Sequence, residues 1–124
     1  MKRSVLAAAL VTLFCACGGG GGASPEEACN GLAEVTCEKF FECLTEDQRA
    51  AAGLTTEAAC VADYKAQFGC AELTEDNACE ANETYNSDEA DSCIDQLAGL
   101  SCDQVLDGIE DSETPACNRV CTVE

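Results

Sequence analysis

The chain has no histidine and no tryptophan among its 124 residues. Without imidazole there is no Ser-His-Asp or Cys-His triad and no histidine-ligated metal hydrolase site. Cations are nearly as scarce: six Lys and Arg stand against 24 Asp and Glu, a formal charge of −18. A surface of that sign repels nucleic acid and anionic headgroups, so no nucleic-acid partner is expected. The same charge favours solubility and spacing from neighbours, and it can draw cations or basic partners. Aromatic residues are limited to four Phe and two Tyr, and one Phe lies in the N-terminal apolar run. A core built from so few large side chains is thin. No segment alternates apolar and polar residues for more than a few positions, so no strand is expected.

Further absences concern motifs. No C-x-x-C occurs, which argues against thioredoxin-like redox chemistry and against Cys₄ zinc sites, whose ligands usually come in close pairs. There is no nucleophile elbow. The run Gly18–Gly22 is pure glycine and lacks the lysine and hydroxyl residue of a phosphate loop. Two acids flanking a bond serve a glycosidase, but among 24 acids any pair is uninformative. No catalytic residue, metal ligand or cofactor is assigned, and no enzyme is expected.

Cysteine is what the chain has in excess: twelve residues. Two of them, Cys15 and Cys17, follow an apolar segment. Lys2 and Arg3 precede Val5–Phe14, an apolar run interrupted only by Thr12. That run is too short for a bilayer core, which takes roughly 20 residues. A basic start, a short apolar stretch and a small residue describe a cleaved export signal. A buried helix is the alternative, and the five glycines that follow oppose it.

The segment Phe14-Cys15-Ala16-Cys17 resembles the lipobox of bacterial lipoproteins, where a small residue precedes the cysteine that is acylated. The resemblance implies cleavage after Ala16 and a diacylglycerol on the Cys17 thiol. It departs from the family at Phe14, where Leu is favoured and Leu13 lies one residue back. Gly18 differs from the aspartate that retains some lipoproteins at the inner membrane, so the resemblance implies the outer membrane, at its periplasmic face or at the cell surface. Three parts are therefore expected: residues 1–16 as a signal peptide, 17–24 as lipidated Cys17 with a flexible glycine tether, and 25–124 as the folded domain. A Gly-rich coil of seven residues reaches about 15 Å. The mature chain keeps Lys39, Arg49, Lys65 and Arg119 with all 24 acids, a net −20.

Ten cysteines remain in the domain: Cys29, Cys37, Cys43, Cys60, Cys70, Cys79, Cys93, Cys102, Cys117 and Cys121. An exported chain this rich in cysteine reads as a disulfide framework. Five bridges are expected, with on the order of 945 possible pairings. Disulfides also offset the self-repulsion of a one-sided charge.

Apolar residues recur at three- and four-residue intervals, so the fold expected is all-α. Ser24-Pro25-Glu26-Glu27 is a capping box opening a first helix with the stripe Cys29, Leu32, Ala33, Thr36, Cys37, Phe40, Cys43 and Leu44. Thr45–Gln48 caps a short second helix that Gly53 ends. Thr55 or Thr56 caps a third, carrying Cys60, Val61, Tyr64 and Phe68, and Gly69 stops it. Residues 70–80 can hold a short helix, and 81–87 (ANETYNS) read as a loop. Ser87 starts another helix through Cys93 and Leu97; Ser101 starts one that Gly108 closes; Pro115 opens a last turn with Cys117 and Cys121.

Thr56–Cys60 with Cys70 echoes Asp88–Cys93 with Cys102, which reads either as a duplicated disulfide-linked unit or as chance. CIDQLAGLSCDQVLDG and PACNRVC are similar to small cysteine-rich lipoproteins of myxobacterial type, a resemblance that implies an extracytoplasmic helical domain and no activity. Glu72, Glu75, Asp76, Glu80, Glu83, Asp88, Glu89 and Asp91 crowd around 81–87 without EF-hand spacing. The function expected is a lipid-anchored structural or interaction module of the envelope, held to the membrane by acyl chains on Cys17 and facing an envelope protein partner. A calcium- or small-ligand-binding surface lipoprotein is the alternative.

Overall fold

A computed structural model describes residues 22–123. Five helices and one minimal strand pair make a small disulfide-rich helical protein. Helix α1 spans Pro25–Cys43, α2 Glu46–Ala51, α3 Glu57–Phe68, α4 Ser87–Ala98 and α5 Cys102–Asp107. Single 3₁₀ turns occupy Cys70–Glu72 and Cys117–Arg119.

Each helix start follows from a side chain that satisfies otherwise orphaned N–H groups. At α1 the Glu27 N–H donates to Ser24 Oγ at 3.3 Å, and the Ser24 N–H donates to Glu27 Oε2 at 2.9 Å. Hydrogen bonds to the Glu27 carboxylate from the Ser24 backbone N–H first, and then from the Ser24 side chain, hold that carboxyl below its ordinary pKa. Thr45 with Gln48 and Ser101 with Gln104 form the same reciprocal box at α2 and α5. Thr56 caps α3, accepting from the Ala59 N–H at 3.1 Å. At α4 the cap is Asn86, one residue before the expected Ser87; its Oδ1 accepts from the Glu89 N–H at 3.1 Å. The amide oxygen of Asn86 makes that bond better placed than the Ser87 hydroxyl, which lies inside the first turn. Gly69 ends α3 in the left-handed conformation at φ 62°. Helix α1 ends without a glycine. Arg49 of α2 instead donates to the Phe41 carbonyl at 2.8 Å and lies 5.0 Å from the Phe41 ring centroid.

Helix α1 is the spine, packed against α3 on one side and α4 on another. Its buried set is therefore wider than a single stripe. Ala28 and Val35 are buried, although neither lies on the expected stripe, while Phe40 of the stripe is 36% exposed. Gly31 marks the close approach to α4: a Cβ there would lie 2.8 Å from Ile94 Cδ1. The core is made of small and sulfur-bearing residues. Ala33, Cys37 and Ala116 are fully buried, and Cys37 and Cys70 are the largest side chains below 2% exposure.

One expectation needs correction. Thr84–Tyr85 and Cys121–Thr122 pair as antiparallel strands, with Thr84 opposite Thr122 and Tyr85 opposite Cys121. Two residues are too few for a period to register, and the segments meet where Cys79 and Cys121 are joined. The short helix expected within residues 70–80 is the 3₁₀ turn Cys70–Glu72; a hydrogen-bonded turn at Thr74–Ala78 follows, in which the Thr74 N–H donates to Asn77 Oδ1 at 2.7 Å.

Candidate functional site

The ten domain cysteines form five disulfides: Cys29–Cys70, Cys37–Cys60, Cys43–Cys102, Cys79–Cys121 and Cys93–Cys117. Three of them end on α1. Cys29 and Cys37 hold α3 and the turn after it, in a nested order that an antiparallel helix pair imposes. Cys43 holds the start of α5. Among the described residues no thiol is left free for nucleophilic, redox or metal chemistry. The echo between residues 56–70 and 88–102 does not extend to the pairing. Cys60 and Cys70 both reach α1, whereas Cys93 joins Cys117 and only Cys102 reaches α1.

The acids around 81–87 do not converge. Among the described residues, the one group of three potential ligand atoms within 4.8 Å of each other is Cys79, Glu83 and Cys121, and two of these are the sulfurs of one disulfide. Several of the acids already have structural partners. Glu83 accepts from the Glu80 N–H at 3.2 Å. Glu89 takes both arms of the Arg119 guanidinium at 3.0 and 2.9 Å, which raises the Arg119 pKa. Asp91 accepts from the Ala23 N–H at 3.2 Å.

The most ligand-like feature is an apolar cleft of about 300 Å³. Helix α1 contributes Pro25, Ala28, Cys29 and Leu32; α3 contributes Tyr64 and Phe68. Leu73, Ala78, Tyr85 and Val120 close it from the long connection and the C-terminal segment. No charged side chain lines it, in a protein with 24 acids. Tyr64 and Phe68 form its aromatic wall with ring centroids 4.5 Å apart, and Phe68 remains 54% exposed at the mouth. Both are carried by the third helix that the sequence predicts. The i,i+4 aromatic pair was the available signal, and its exposure is decided by segments remote in sequence. A larger hollow of about 520 Å³ at the α1–α2 corner includes Glu46 and Arg49 in its lining. Arg49 is already committed there to the Phe41 carbonyl.

The cleft lies beside the point where the chain enters the domain. Tyr85, in its wall, donates its hydroxyl to the Ala23 carbonyl at 2.8 Å. Burial first, and then the charges of Asp91, Glu27 and Glu75, push the Tyr85 phenol up to about 12. Gly22 passes so near α4 that a Cβ would sit 2.3 Å from the Ser87 carbonyl oxygen, so only glycine fits. Of the expected tether, Gly22–Ser24 thus belong to the domain surface. Cys15, Cys17 and Gly18 lie outside the described residues. Among the described residues no helix is long and apolar enough to cross a membrane.

The fold defines a class: a small, acidic, helical protein clamped by five disulfides, three of which end on one central helix. No family model, curated protein or solved structure significantly matches the chain.

Proposed function

We propose that the protein is a lipid-anchored, extracytoplasmic interaction module of the bacterial outer membrane, held by acyl chains on Cys17 and presenting the apolar cleft to its ligand. One observation carries the reading: the ten cysteines of the domain are all consumed in five disulfides, and of the two that follow the signal-like run Cys17 stands behind the small Ala16, whereas Cys15 stands behind the bulky Phe14. Such a framework belongs to an oxidising compartment. Two or more acyl chains would hold the domain firmly, where one chain holds only marginally. Metabolic labelling with a radioactive fatty acid tests the anchor. Wild type is expected to carry label and fractionate with membranes, while Cys17→Ser carries none. An unlabelled, freely soluble wild-type product would end this reading.

A further inference from the structure

We propose that the cleft receives one of the acyl chains carried on Cys17, so that the anchor is shared between bilayer and protein. The inference rests on the lipidation proposed above and names the ligand of the same site. Three observations support it. The cleft offers an uncharged lining to an uncharged chain. Its wall residue Tyr85 grips Ala23, and Pro25 at its rim is the first residue of α1, so the entering chain is fixed beside the mouth. Cys17 lies five residues before Gly22. Those five residues span at most about 17 Å. An acyl chain on that sulfur therefore reaches the mouth without any rearrangement of the domain. A soluble apolar partner would have to find the cleft by diffusion, whereas the tethered chain is always present at high effective concentration. Occupancy would withdraw one chain from the membrane and weaken the hold of those remaining.

The test uses the native full-length chain in cells fed a fatty acid that carries a photoreactive diazirine midway along its chain. After irradiation, peptides are mapped by mass spectrometry. Crosslinks are expected from the Cys17 lipid to the cleft floor at Ala28, Cys29 and Leu32, and to Phe68 and Val120. Phe68→Asp is expected to lower the floor crosslink at least tenfold while leaving the label on Cys17 and the circular dichroism spectrum unchanged. Label on Cys17 with crosslinks confined to lipid, or to exposed Phe68 alone, would overturn the inference and leave the anchor standing. A floor crosslink undiminished in Phe68→Asp would also overturn it. Absence of label from Cys17 would remove both readings.

Discussion

Tyr85 shows how one side chain joins the entry segment, the cleft and the short strand pair. Its phenol is pushed up to about 12 in the folded protein, against an ordinary value near 10. The sign follows from linkage. The unfolded chain loses this proton first, so the stability contributed by the neutral phenol is complete below about pH 10 and is lost as pH rises towards 12. Absorbance at 295 nm is expected to show one tyrosine titrating near 12, and Tyr85→Phe should abolish that step. The same substitution removes the bond to the Ala23 carbonyl and should cost about 1 kcal/mol in denaturant unfolding. A second residue-scale expectation concerns sulfur. The Cys37–Cys60 loop is shorter than the Cys79–Cys121 loop, 23 against 42 residues, so chain entropy alone makes it about 0.5 kcal/mol the weaker constraint. Burial reverses the order, because Cys37 is fully buried and Cys60 nearly so, while Cys79 and Cys121 are half-buried. Changing Cys37 and Cys60 together to alanine is therefore expected to cost more, by urea midpoint, than changing Cys79 and Cys121 together.

At the scale of elements, the helix starts were readable because caps are local. Ser24, Thr45, Thr56 and Ser101 each act within three residues, and Gly69 sits where a left-handed residue is needed. Gly69→Ala is expected to cost 1–2 kcal/mol in thermal or urea unfolding, from the positive φ and from Glu72 Oε2 at 3.3 Å from the added Cβ. What the sequence could not show depends on partners far along the chain. Phe40 follows the stripe of α1 yet is left exposed, because α3 and α4 approach from either side and bury Ala28 and Val35 instead. The strand pair is only two residues long and is closed by partners 38 and 36 positions apart, Thr84 with Thr122 and Tyr85 with Cys121. The cysteines were legible as a framework, but their pairing was not, because spacing does not distinguish α1–α3 bridges from α4 to C-terminal ones. The cleft was the least legible feature. Its lining comes from α1, α3 and three separate later segments, none of which carries a motif.

The whole molecule sets five cross-links against a large like charge. Among the described residues three ion pairs offset it: Lys39–Glu42, Lys65–Glu34 and Arg119–Glu89. Screening at high salt therefore removes more repulsion than attraction. The denaturation midpoint is expected to rise between 10 mM and 0.5 M sodium chloride; a fall would mean that attractive pairs dominate. The small core explains why the clamp matters, since its largest fully buried side chains are themselves half-cystines. Export with acylation of Cys17 is the central claim, and the intact mass of the native protein addresses it directly. The expected mass lacks residues 1–16, gains acyl groups on Cys17 and is ten hydrogens lighter than the thiol form for its five bridges. A full-length, unacylated chain with its thiols reduced would contradict it.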